Sequence, residues 1–185
     1  VVVETANGMG IGVAVLQAPK LVRSQLDSAF WYIAFFALSF GALTIAMGPL
    51  LASFYDEPRM VHFVWAVAAK LIFVSAFTIP YQLLNRALRY REIAAVKSAA
   101  TLLAALTRVA VALAGGGAWA IVLGHSAHGL FVLIGIYLIQ PFWPRLHFAF
   151  REVRLLARFG IRVALTDGLN QLYRNLDYLI VGRVF

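Results

Sequence analysis

A chain of 185 residues that is 62% hydrophobic and 13% charged, with mean hydropathy +0.83, is too apolar for a soluble domain, where about a quarter of residues carry charge. The formal net charge of +8 does not mark a nucleic-acid binder, because the basic residues sit beside or within apolar runs and leave no soluble basic face. The absence of cysteine excludes disulfides and thiolate metal sites.

These bounds predict an all-α protein, a polytopic transmembrane helix bundle. Residues 1–17 read as the remnant of a span, with Glu4 and Asn7 among apolar residues. Gly8, Gly10 and Gly12 alternate there, in a spacing that is wrong for a dinucleotide fingerprint and suits close helix packing. A short polar loop with Lys20, Arg23 and Asp27 precedes a second span over about 28–54, which opens on Trp31-Tyr32, a pair suited to a membrane interface. The loop Asp56-Glu57-Pro58-Arg59 is acidic overall.

The third span, about 62–86, is apolar on most sides but carries Lys70, Ser75, Thr78, Tyr81, Gln82 and Asn85 within one sector of roughly 140°. Pro80 interrupts it, and Arg86, Arg89 and Arg91 follow. A fourth span over about 93–114 places Lys97, Thr101, Ala104 and Arg108 on a stripe about 60° wide. Gly115-Gly116-Gly117 makes a tight turn into a fifth span, about 118–140, which contains His125 and His128. A basic loop with Arg145, Arg151, Arg154 and Arg158 leads to a last span, about 155–182, carrying Arg162, Asp167, Asn170, Arg174 and Asp177. The chain starts without methionine and stops inside an apolar run, so it is expected to be a piece of a longer protein.

Charged side chains inside spans carry the functional reading. Insertion scales put each at about 2.5–3.5 kcal/mol near mid-bilayer, so Lys70, Arg108 and Arg174 together would cost roughly 6–10 kcal/mol facing lipid. A hydrated cavity removes most of that cost, and Asp167 and Asp177 lie at helical spacing from Arg174. Buried ion pairing and snorkelling are the structural alternatives for these residues. His125 and His128 have an i, i+3 spacing that could hold a metal, but no carboxylate lies nearby in their span, and packing between helices is the expectation. No metal or cofactor is expected.

The order of several short motifs resembles a known family. These are Gly10-Ile11-Gly12-Val13-Ala14-Val15-Leu16-Gln17, Ser28-Ala29-Phe30-Trp31, Phe54-Tyr55-Asp56-Glu57-Pro58, and Pro80 with Asn85-Arg86-Ala87-Leu88-Arg89-Tyr90-Arg91. Gly117-Ala118-Trp119-Ala120, Arg158-Phe159-Gly160 and Asn175-Leu176-Asp177-Tyr178-Leu179-Ile180-Val181-Gly182-Arg183 continue the series. Together they resemble the lipopolysaccharide and exopolysaccharide flippases of the multidrug/oligosaccharidyl-lipid/polysaccharide superfamily, over almost the whole chain. The resemblance implies two six-helix bundles around a central cavity, of which this chain would be the end of the second helix through most of the seventh. It implies a multi-pass protein of the bacterial inner membrane that flips an undecaprenyl pyrophosphate-linked saccharide, with membrane lipids and polysaccharide biosynthesis proteins as partners and no nucleic acid. Many members have an acidic residue where Gly8 stands; here the carboxylate is Glu4, which with Asn7 is the candidate coupling site. Lys70, Arg108, Arg174, Asp167 and Asp177 are the candidate substrate-binding residues. A membrane-embedded transferase using His125 or His128 as base, or a drug exporter of the same superfamily, are the alternatives.

Loop charge sets the orientation. The loops at 20–27, 86–92 and 145–158 are basic, and those at 56–59 and 115–117 are acidic or neutral, so the first group faces the cytoplasm. Single cysteines at positions 56, 89 and 151, probed in intact cells with an impermeant thiol reagent, should label at 56 alone. Labelling at 89 and 151 with none at 56 would invert the topology.

Overall fold

The computed structural model describes residues 11–17, 21–54, 58–146, 149, 154, 166 and 169. The described elements are five helices: α1 (Ile11–Gln17), α2 (Arg23–Phe54), α3 (Met60–Arg86), α4 (Tyr90–Leu113) and α5 (Trp119–Ile139). Four of them, α2 to α5, are long and apolar enough to cross a membrane. Apolar sequence of this length has one stable local answer, because hydrocarbon offers no water to bond the backbone and a helix satisfies its own. The all-α expectation holds. Most of the expected last span, including Asp167, Arg174 and Asp177, lies outside the described residues, as do Glu4 and Asn7.

Helix ends show how the chain turns. After α3, the Arg89 N–H bonds the Leu84 carbonyl and the Leu88 N–H bonds Asn85, with Leu88 at φ 56°. After α4, the Gly116 N–H bonds the Val111 carbonyl and the Gly115 N–H bonds Ala112, with Gly115 at φ 80°. Both are Schellman endings, which satisfy carbonyls that the helix cannot. Glycine takes that backbone conformation without strain; Leu88 takes it against the steric preference of an L residue.

Helix α3 is the centre of the bundle. It packs along α2 on one side and α5 on another, with α1 beside it, whereas α4 packs chiefly on α5 and touches α3 little although the two are consecutive. Two apolar cores result. Ala14, Val15, Leu26, Ala29, Ile33, Ile79 and Phe142 join α1, α2 and α3, while Leu84, Ile93, Val96, Ala100, Val132 and Ile136 join α3, α4 and α5. Pro80 lies inside α3 and is buried, so its ring removes the bond that would end on the Ala76 carbonyl. Tyr137 of α5 donates its hydroxyl to that carbonyl at 3.1 Å. The broken rung is repaired from a neighbouring helix.

The start of α2 differs from the sequence expectation. The helix begins at Arg23, so Asp27, expected in a loop, and Ser28, expected to open the span, fall within it and are buried. Gln25 reaches back to the Val22 N–H at 3.3 Å, half of a capping box, and Arg23 lies 3.4 Å from the Asp27 carboxylate one turn on. The other reason is tertiary. Asp27 accepts the Arg145 N–H at 3.3 Å, Ser28 accepts the Ala149 N–H at 3.0 Å, and the Trp31 indole donates to the Arg145 carbonyl at 2.8 Å. Arg23 donates to the Trp143 carbonyl at 2.7 Å and stacks on Phe142, which is fully buried. The chain after α5 is thus clamped to the basic end of α2. At the same end, Arg86 donates to the Val15 and Leu16 carbonyls and closes the last turn of α1, where a cation suits the helix dipole.

Glycines on α5 let the helices close up. A Cβ on Gly135 would lie 2.6 Å from Val96 Cγ1 of α4 and 3.2 Å from its Cγ2. Gly135→Ala should therefore cost about 1–3 kcal/mol of stability, as overpacking does. Thermal unfolding in detergent measures it, with Val96→Ala in the same chain restoring most of the loss. A single variant that melts with the wild type would show the crossing to be loose.

Candidate functional site

The polar residues of the spans converge on α5. Lys70, on the face that α3 turns to α5, is 7% exposed, and its Nζ lies 2.7 Å from His125 Nε2. An ammonium carries donors and no acceptor, so this contact is a hydrogen bond when Nε2 is the ring's acceptor nitrogen. Next to it Ser126 donates to the Ala66 carbonyl at 2.8 Å, and Gly129 has no Cβ where the Lys70 Cγ would otherwise stand 3.2 Å away.

From the other side, α4 lays Arg108 across Gly124. A Cβ there would overlap Arg108 Cγ and come within 2.7 Å of its Nε. One glycine thus decides where this guanidinium runs. Further along α4, Thr101 Oγ1 lies 3.5 Å from His128 Nε2, a long contact, while donating to the Lys97 carbonyl. Lys97 donates to the Tyr81 hydroxyl of α3 at 2.8 Å and sits 4.7 Å over that ring. Arg108, Lys70 with His125, His128 with Thr101, and Lys97 with Tyr81 therefore form a row along the α3–α5–α4 junction. From Lys97 to Arg108 the helix rise makes it about 16 Å long.

The sector of α3 read as polar splits between neighbours. Lys70 and Tyr81 turn to α5 and α4, whereas Thr78 and Gln82 come to Gly12 of α1, whose missing Cβ would lie 3.2 and 3.1 Å from them. A concave face between α2 and α3 is lined by Leu38, Gly41, Ala42, Ile45, Trp65 and Ile72 among others and is apolar. At the end opposite the arginines, Trp119 packs on Phe63 and His62, at 5.0 and 6.3 Å between rings, as interfacial tryptophans do.

Electrostatically the row is one-sided. Among the described residues the carboxylates are Asp27 and Glu92, both at the basic end, and both are engaged. Glu92 holds Arg89 through two oxygens, with Nε to Oε1 at 2.8 Å and Nη2 to Oε2 at 2.6 Å. No group of three His, Cys, Asp or Glu side chains that could hold a metal occurs among the described residues.

Membrane helices with a basic polar row fit several classes of protein, and comparison of the sequence decides among them. The profile of the family described as "Polysaccharide biosynthesis protein" matches residues 1–185. The chain belongs to that family. It is a flippase-type family of membrane proteins, in agreement with the resemblance read from the motifs. Neither a curated relative nor a solved structure matches the chain.

Of the residues singled out in sequence, the structure brings Lys70 and Arg108 of this family member onto one helix, α5, from two different helices. Arg174, Asp167, Asp177, Glu4 and Asn7 fall outside the described residues. The pairing of His125 with Lys70 and of Lys97 with Tyr81 was not legible in sequence. A signal did exist in the glycines flanking the histidines, which mark α5 as the helix that two others approach closely.

Proposed function

We propose that this chain is part of a transporter that moves an undecaprenyl pyrophosphate-linked saccharide across the bacterial inner membrane. The observation that carries the reading is the row itself. Lys70, Arg108 and two histidines are aligned through the depth of the span where lipid would penalise them. The pyrophosphate of such a substrate is an anion that must cross hydrocarbon, and charge-assisted hydrogen bonds from Lys and Arg suit it. Alternating access between two bundles lets the head group cross in water while the tail stays in lipid. In this reading the chain is one membrane domain, half of a two-bundle carrier. Arg174 extends the cationic wall with Asp167 and Asp177 as its local partners, and Glu4 and Asn7 serve coupling. No covalent step is needed. A transferase would need a ready base, and His125 Nε2 already lies 2.7 Å from Lys70 Nζ.

The test is transport by the full-length protein in proteoliposomes. Lys70→Gln and Arg108→Gln keep polarity and approximate size while removing charge. Each should lower translocation of lipid-linked saccharide by about tenfold or more, since a hydrogen bond to a charged group contributes about 1.5–3 kcal/mol. Membrane levels should stay at wild type, and Lys70→Arg should retain more activity than Lys70→Gln. Wild-type rates in both Gln variants would make these residues anchors and refute the proposal.

A further inference from the structure

Of the described cations at the basic end, Arg91 and Arg145 are exposed and three others are committed to partners. Arg23 is bound to Asp27 and the Trp143 carbonyl, Arg86 to the end of α1, and Arg89 to Glu92. Lys97 differs: its ammonium is held by the Tyr81 hydroxyl and ring, which are neutral, so its charge is oriented without being cancelled. The residue is exposed, and it stands seven residues into α4, about 10 Å from the basic end of the helix.

The chemistry of the contact is specific. An ammonium has three donors and no acceptor, so two N–H groups of Lys97 remain after the bond to Tyr81. The Tyr81 oxygen accepts that bond and keeps its own proton to donate. Among the described residues its hydroxyl has no other hydrogen bond. Phe77 meets the Tyr81 ring edge-on at 6.3 Å and fixes its plane. The result is a small set of donors, one of them charged, held together between α3 and α4 at the near end of the row that leads through Thr101 to Lys70 and Arg108. Lys97 is exposed in this contact, while Tyr81 is half-buried against the core.

We propose that Lys97 and Tyr81 form the entry site for the substrate's phosphate, a two-residue donor pair that receives a pyrophosphate diester at the basic end of the row before it reaches Lys70. The assignment rests on the transport reading and adds to it the place of first contact. The Lys97 ammonium supplies the charge, and the Tyr81 hydroxyl supplies a second donor and keeps the ammonium turned to the row.

Equilibrium binding of a short-chain dialkyl pyrophosphate diester to the full-length protein in zwitterionic nanodiscs tests it. Lys97→Gln should weaken binding by about tenfold or more, Tyr81→Phe by about threefold, and Lys97→Arg by no more than about threefold, as expected for charged and neutral donors respectively. Thermal unfolding of the same variants supplies the control. Affinity losses without a matching loss of melting temperature support a binding role. Losses that track melting temperature in both Lys97→Gln and Tyr81→Phe would reduce the pair to a structural tie. A phosphatidylglycerol disc in which bilayer lipid competes as well as unlabelled diester would make Lys97 a phospholipid anchor and overturn the proposal. So would wild-type affinity in Lys97→Gln, or no saturable binding by the wild type. Transport by Lys70→Gln and Arg108→Gln is scored separately, so failure of the entry site and failure of the transport reading are distinguishable.

Discussion

The polar row depends on the close approach of two helices to α5. Gly124, Gly129 and Gly135 remove side chains where Arg108, Lys70 and Val96 cross. In hydrocarbon there is little hydrophobic drive to bring helices together, so packing through small residues and hydrogen bonds between helices supply the association. Here the same glycines do both. Gly135 seats an apolar contact at the core, while Gly124 and Gly129 give passage to two long cationic side chains. A bulkier α5 would push α4 outward and move Arg108 off Gly124.

A second constraint, that no backbone group inside an apolar medium goes unanswered, explains details that look unrelated. Tyr137 answers the carbonyl that Pro80 abandons, Arg86 answers the end of α1, and the Schellman endings answer those of α3 and α4. The clamp at Arg23, Asp27, Ser28 and Trp31 answers extended chain after α5, which has no helix bonds of its own. These contacts fix the bundle at its basic end. The α3–α4 pair, joined through the Lys97–Tyr81 bond, packs less closely than the other neighbouring helices α2–α3 and α4–α5.

Much of this could be read in the chain. The boundaries of α3, α4 and α5 follow the apolar runs within a few residues, and Gly115 stands where the turn needs positive φ. The α2 boundary did not follow. Asp27 looks like a loop residue because the backbone N–H that it accepts, that of Arg145, is more than a hundred positions away. The polar sector of α3 was correctly placed on one side of the helix, but a helical wheel gives only angles. It could not say that Lys70 and Tyr81 would turn to α5 and α4 while Gln82 met α1.

The sequence by itself determined the class of structure, because apolar length and backbone hydrogen bonding in lipid leave the helix as the stable local form, and the match over residues 1–185 ties the chain to its family. It also marked which residues are too costly to face lipid. Only the tertiary structure decided what those residues meet. Whether Lys70 bonds a carboxylate or a histidine depends on how helices far apart in sequence are rotated and offset against each other. That offset is set by where glycines permit contact, a property of two surfaces rather than of either helix alone.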